Sequence, residues 1–342
     1  MKIVCDKAIP YLEGVFEPYA EVVRKEGRSI VRDDLEGAEA LIVRTRTACG
    51  AGLLGGTGVR IVASATIGTD HIDIPWCRSE GIEVASAPGC NALGVADYVM
   101  TAVYAVAERK SLDISGSVIG IVGAGHVGTL VAEAARKLGF RVLLCDPPRA
   151  LSEGPEGFVS LERLLEESSV VTLHVPLDAT TFHMAGERFF SMMRPGALFI
   201  NSSRGDVVVE RALAQAAPRL GGVVLDTWPG EPRISPGTVR LCDIATPHIA
   251  GYTVQGKATA TQMVVHSVAE CLGIKELEGF SLASSMPPVK VLHLSGEKPS
   301  TINEVLQYNY PIFTDDSALR ADLSAFERLR SAYACRNEFR IE

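Results

Sequence analysis

The chain has 342 residues, with 33 Lys+Arg against 41 Asp+Glu and a formal net charge of −8. Hydrophobic residues make up 47% of it, which supplies a sizeable core and excludes global disorder. The length suggests roughly two or three domains. The acidic balance argues against a general nucleic-acid or anionic-membrane surface, and no run of about 20 apolar residues is available to span a bilayer.

The opening Met1-Lys2-Ile3-Val4-Cys5-Asp6 lacks the regions of a signal peptide and reads as the first strand of a mature protein. Eight scattered cysteines, with no CxxC and no paired histidine spacing, predict reduced thiols in a cytoplasmic protein, without a disulfide frame or a zinc site. Short apolar runs at 2–5, 40–43, 59–63 and 82–85 read as buried strands. Residues 90–108 read as a long apolar helix leading into a second unit. Further strands are expected at 118–122, 141–145, 170–174, 197–201 and 222–225, alternating with helical spacing, and a long helix at 256–273. This alternation predicts an α/β architecture with parallel sheets. After about residue 275 the composition changes, and the last stretch, 317–336, is charged and helical in character.

The sharpest motif is Gly123-Ala124-Gly125-His126-Val127-Gly128, which follows the strand at 118–122 and opens a helix. Gly123 suits a tight turn, Gly125 lets the backbone approach a pyrophosphate, and Gly128 allows close packing. The helix start, with the backbone of His126 and Val127, offers N–H groups to the anion. Asp146 ends the next strand, where a carboxylate takes ribose hydroxyls and repels a 2′-phosphate, which favours NAD over NADP.

Three further motifs each follow a strand: Asn201-Ser202-Ser203-Arg204-Gly205, Asp226-Thr227-Trp228-Pro229-Gly230-Glu231, and Thr246-Pro247-His248-Ile249-Ala250-Gly251-Tyr252. Ligands of open parallel sheets bind beyond the carboxyl ends of the strands, so one guanidinium, one imidazole and one carboxylate are expected to converge there. Oxidising a secondary alcohol beside a carboxylate needs a base while hydride leaves. His248 suits that role, Glu231 would fix its tautomer, and Arg204 would fork onto the substrate carboxylate. Near the end of the 40–43 strand, Arg44-Thr45-Arg46-Thr47 is a basic and hydroxyl cluster suited to a phosphate. Thr66-Ile67-Gly68 offers N–H groups to a carboxylate. The histidines at 71, 126, 174, 183, 266 and 293 read as structural, and Asp70-His71-Ile72-Asp73 matches no metal motif.

On these motifs the sequence resembles the D-isomer-specific 2-hydroxyacid dehydrogenase family. The resemblance implies two Rossmann-like, doubly wound parallel-sheet domains, with Arg204, Glu231 and His248 in the roles argued above and Asp226 on the nicotinamide carboxamide. Pro88-Gly89-Cys90-Asn91-Ala92, Cys145-Asp146-Pro147-Pro148-Arg149, and His248 to Thr253 with Gly256-Lys257 are similar to one branch of that family. So is Thr66 to His71, and the closing Phe326-Glu327-Arg328-Leu329-Arg330. That branch oxidises 4-phosphoerythronate in vitamin B6 biosynthesis.

The resemblance implies substrate contacts at Thr45, Thr66 and Tyr252, with Arg44, Arg46 and Gly68 beside them. It implies cofactor contacts at Val175 and Gly251, the former through its backbone, since a threonine is familiar there. It also implies a lid domain of 1–92 and 247–275, an NAD-binding domain of 93–246, and a small α+β C-terminal dimerisation domain of 276–342 that makes a homodimer. Alternatives on the same motifs are a dehydrogenase of 3-phosphoglycerate, glycerate or lactate, and a non-enzymatic NADH-sensing protein.

Overall fold

The computed structural model describes residues 1–342, which divide into two compact units, Met1–Asn91 with Thr253–Pro288, and Ala92–Tyr252 with Val289–Glu342. In the first unit five parallel strands run in the order β2-β1-β3-β4-β5. They are β1 (Lys2–Asp6), β2 (Glu21–Lys25), β3 (Ala40–Val43), β4 (Ile61–Ser64) and β5 (Glu83–Ala85). Successive side chains alternate across the sheet. Ile3, Cys5, Ala40 and Ile42 therefore join Val264, Val265 and Val268 of the Val254–Leu272 helix on one face, while Val4, Leu41 and Val43 pack with Leu54 and Cys77 on the other. That helix starts where the Thr253 hydroxyl accepts the Gly256 N–H at 3.0 Å and stops at Gly273, whose φ of 72° favours glycine. β2 was not expected from the sequence. Its Glu21-Val22-Val23-Arg24-Lys25 is an edge strand, and charges on an edge hide the apolar signal.

The second unit holds six parallel strands in the order β11-β10-β9-β8-β6-β7. These are β6 (Val118–Val122), β7 (Arg141–Cys145), β8 (Val170–Leu173), β9 (Leu198–Asn201), β10 (Gly222–Leu225) and β11 (Ile244–Ala245). The Ala92–Lys110 helix is buried from Val95 through Ala107 and forms one core with Ile119, Ile121, Ile200 and Val224. The register sets Val122 beside both Cys145 and Leu173, Leu173 beside Asn201, and Leu225 beside both Asn201 and Ala245. All six strands therefore end along one row, and the loops that leave it start level with each other.

Residues 276–342 do not form a body of their own. Residues 276–288 group with the first unit, and 289–342 group with the second. The parallel pair β12 (Lys290–Leu292) and β13 (Phe339–Ile341) brackets helices at Pro299–Asn309, Ile312–Ala321 and Phe326–Ser331. The single helical stretch expected at 317–336 is broken at Asp322, whose carboxylate turns back to accept the Ser324 N–H at 3.0 Å. Some 50 residues are marginal for a core of their own. Leu292, Leu306, Tyr310, Ile312 and Phe339 accordingly complete the core around the Ala92–Lys110 helix, and Leu319 and Phe326 complete the one on the other face. Polar ties reinforce this: Phe339 N–H donates to buried Asp97 at 3.0 Å, and Ala245 N–H donates to Asp316 at 2.7 Å.

A chain ended after Pro288 should therefore lose cooperative folding of the second unit, read as soluble yield and as the loss of its thermal transition. An unchanged transition would mean that residues 289–342 are dispensable to that core.

Candidate active site

The glycine-rich turn lies between β6 and the His126–Lys137 helix. Gly123 has a φ of 89°, and a Cβ there would overlap the His174 carbonyl, while one on Gly128 would overlap the Gly123 carbonyl. Only glycine fits either position. A Cβ on Gly125 meets no protein atom within 4 Å, so that face of the turn is open to a ligand. Asp146, at the end of β7, accepts the Ala124 N–H at 2.8 Å and the Arg149 N–H at 3.0 Å. Its two oxygens keep lone pairs for further donors. Arg149 grips Glu153 through Nε and Nη2 at 2.7 Å each and so does not offer a free fork to a 2′-phosphate. Val175 follows β8 and sits against Gly123. The residues present fit a dinucleotide with an unmodified ribose.

Arg204 follows β9. Asn201 shapes its loop by donating to the Arg204 carbonyl at 2.9 Å and accepting from Ser203 N–H and Oγ. Gly205 lets this loop lie directly on the Trp228–Pro229 backbone, where any Cβ would collide. The Arg204 loop is thereby fixed beside the loop that carries Glu231.

Glu231 and His248 meet directly. His248 Nδ1 lies 2.8 Å from Glu231 Oε2, and Glu231 Oε1 accepts the Trp228 N–H at 2.9 Å. A carboxylate on Nδ1 makes that nitrogen the donor and leaves Nε2 as the proton acceptor. Burial pushes the Glu231 carboxyl up, but the hydrogen bond and charge of His248, helped by Trp228 N–H and Arg330, outweigh it and hold it below its ordinary value. The carboxylate form is thus the one that faces the ring.

His248 has a φ of 58°, in the left-handed region that an L side chain rarely adopts. Asp226 holds it there. Its Oδ1 accepts Ile249 N–H at 2.8 Å and the Thr246 hydroxyl at 2.7 Å, and its Oδ2 accepts Ala250 N–H at 3.0 Å. Burial raises the Asp226 carboxyl, against the pull of His248 and of these three donors. Tyr98 bonds the Thr246 hydroxyl at 2.7 Å, and Trp228 Nε1 donates to the Thr246 carbonyl at 2.9 Å. Gly251 and Tyr252 follow at once.

In the first unit, Arg44, Thr45 and Arg46 follow β3, and Thr66 and Gly68 follow β4, from the paired ends Val43 and Ser64. Thr66 Oγ1 lies 2.8 Å from Ser64 Oγ and donates to the Gly68 carbonyl at 3.3 Å. These five positions follow neighbouring strand ends of that unit. His174 is desolvated enough to push its imidazole down to about 3 and bonds Thr172 at 3.0 Å, a structural setting.

The family model for the NAD-binding domain of D-isomer-specific 2-hydroxyacid dehydrogenases matches residues 95–250. The erythronate-4-phosphate dehydrogenase of Ectopseudomonas mendocina is 40% identical, over 99% of this chain and 93% of its own. The chain belongs to the erythronate-4-phosphate dehydrogenase family.

Among solved structures, the TT0316 protein of Thermus thermophilus aligns with a TM-score of 0.70 at 27% identity, over 80% of this chain and 97% of its own. The NAD+-bound 3-phosphoglycerate dehydrogenase of Entamoeba histolytica aligns with a TM-score of 0.65 at 26% identity, over 79% and 96%. The chain is accordingly an NAD-dependent oxidoreductase with two Rossmann-like domains.

Within the second unit the structure brings together the motifs the sequence singled out: the glycine turn with Asp146 and Val175, and the Arg204, Glu231 and His248 loops with Asp226. Arg44–Arg46 and Thr66–Gly68 follow neighbouring strand ends within the first. Sequence reading missed the supports, namely Tyr98, Trp228 and Thr246, and two arginines from the C-terminal segment. Arg336 donates to the carbonyls of Ile249 at 3.1 Å, of Gly94 at 2.7 Å and of Ala250, with its guanidinium 4.2 Å from the Tyr310 ring centre. Arg330 touches Glu231 and Tyr252. Only an arginine-rich closing helix marked them in the sequence.

The two glycines separate binding from folding. Gly125→Ala should leave the melting temperature of the cofactor-free protein within about 2 °C while weakening NAD at least tenfold, measured by nicotinamide fluorescence. Gly128→Ala should lower the melting temperature itself, since its Cβ strikes backbone. Equal effects of the two on both readouts would contradict this division.

Proposed function

We propose that the chain oxidises the C2 hydroxyl of 4-phospho-D-erythronate to (R)-3-hydroxy-2-oxo-4-phosphooxybutanoate, a step of pyridoxal 5′-phosphate (vitamin B6) biosynthesis. The observation that carries the reading is the Glu231–His248 pair, with Nδ1 and Oε2 2.8 Å apart, held level with Arg204 at adjacent strand ends. The 40% identity along nearly the whole chain to erythronate-4-phosphate dehydrogenases supports the substrate.

NAD, when bound, supplies the hydride acceptor. The residues of the chain do the rest. Arg204 takes the substrate carboxylate on its fork and orients C2. His248 Nε2 removes the C2 hydroxyl proton, and Glu231 stabilises the imidazolium that results. Asp226 keeps the histidine turn in place and meets the carboxamide side of the nicotinamide site. Arg44, Thr45, Arg46, Thr66, Gly68 and Tyr252 contact the substrate, with the two arginines on its phosphate. Gly251 lines the cofactor side.

The protein works in the cytoplasm as a homodimer in this reading. None of the eight cysteines forms a disulfide, no helix is long and apolar enough to cross a membrane, and Val289 and Val291 are exposed apolar side chains at β12 that self-association would cover.

Two tests follow from the substrate assignment. Anaerobic turnover with a keto-acid acceptor should be confined to 4-phosphoerythronate, with 3-phosphoglycerate, glycerate and lactate at least a hundredfold slower in kcat/KM. Preference for one of those acids would keep the chemistry and discard the substrate. Arg44→Gln with Arg46→Gln should raise KM for the phosphorylated acid more than tenfold, because a charge-assisted contact contributes about 1.5–3 kcal/mol, and should leave NAD affinity unchanged. An unchanged KM would remove the phosphate role from this pair.

A further inference from the structure

Arg330 lies on the short Phe326–Ser331 helix, which the core holds through Phe326 and Leu329. Its side chain is only 16% exposed. Nη1 lies 3.8 Å from Glu231 Oε2, the same oxygen that His248 Nδ1 contacts at 2.8 Å. Its Nε donates to the Tyr252 hydroxyl at 3.1 Å, with its guanidinium 6.0 Å from the Tyr252 ring centre. Tyr333, from the same segment, packs its ring edgewise on Tyr252 at 6.2 Å. One carboxylate oxygen is therefore shared between a permanent cation and the imidazole that must gain and lose a proton.

We propose that Arg330 is a positioning residue of the Glu231–His248 pair. It anchors Glu231 from the C-terminal segment, disfavours the charged imidazole, and so keeps His248 in the base form that the oxidation needs. The inference rests on the reading of His248 as the base.

The sign follows from the charges that face the pair. Asp226, at the end of β10, acts on His248 with negative charge and favours imidazolium, as does Glu231 itself. Arg330 is the opposing cation on the shared oxygen, Arg336 sits on the Ile249 and Ala250 carbonyls of the turn, and Arg204 stands at the neighbouring strand end. Two carboxylates stabilise a positive charge beside them. A fixed like charge within a few ångströms counters them. A role as a mere tether predicts the reverse. Releasing Glu231 would weaken its bond to the imidazolium, and His248 would then titrate lower.

The test is a histidine NMR titration of the full chain and of Arg330→Met, with His248→Asn assigning the resonance among seven histidines. Methionine keeps an apolar stem beside Tyr252. The midpoint of His248 should rise on the order of half to one pH unit in Arg330→Met, and Arg330→Lys should restore most of the difference. The acid limb of kcat/KM for 4-phosphoerythronate oxidation should move the same way, with NAD affinity unchanged. A midpoint that stays or falls in Arg330→Met, or is not restored by lysine, overturns the proposal. The titration needs no substrate. It decides the role of Arg330 even if another hydroxy acid proves to be the one turned over, whereas an inert 4-phosphoerythronate would overturn only the substrate reading.

Discussion

A histidine in a left-handed turn costs on the order of 1–2 kcal/mol, and a buried carboxylate holds it there. Asp226 accepts two successive backbone N–H groups, Ile249 and Ala250, on either oxygen, and a third donor from Thr246. Those bonds fix the backbone on the far side of His248 and aim the ring at Glu231. Everything else in the site depends on this turn, since Glu231 has its oxygens committed to Trp228 N–H and to the ring. The level ends of β9, β10 and β11 bring the three loops to one height, and the clamp converts that coarse placement into a hydrogen bond.

The turn is gripped from two directions. Asp226 binds its N–H groups, while Arg336 binds the Ile249 and Ala250 carbonyls. The C-terminal segment thus reaches the site at several points: Arg336 on the turn, Arg330 on Glu231 and Tyr252, and Asp316 on the Ala245 N–H just before it. A segment marginal for its own core is locked to the nucleotide-binding unit by apolar packing, and its polar side chains then order a loop. Packing and catalytic geometry are here one arrangement.

Much of this is legible in the sequence. Fully buried parallel strands read as continuous apolar runs bounded by Gly, Pro or Asn, and the strands from Ala40 to Leu225 stand within a residue or two of where the sequence puts them, whereas the short β11, β12 and β13 were not expected. The glycine motif identifies itself because two of its positions forbid a side chain. Arg204, Glu231 and His248 each follow a strand, and strand ends are where ligands bind. What was not legible is non-local. Arg330 and Arg336 meet partners 78 and 87 residues away in the chain, and nothing in local patterning marks such a pair. Asp226 reads as a cofactor contact, but its work on the turn depends on the path of the backbone between residues 246 and 250. The grouping of residues 276–288 with one unit and 289–342 with the other is hidden for a related reason: composition shows a change of character without showing which surface the new segment covers.

The central claim is that His248 is the base, and one substitution reaches it directly. In His248→Asn, turnover of 4-phosphoerythronate should fall on the order of a thousandfold. NAD affinity by fluorescence should stay within about twofold and the melting temperature close to that of the parent, because asparagine tolerates the left-handed turn. Near-normal turnover in that variant would contradict the account.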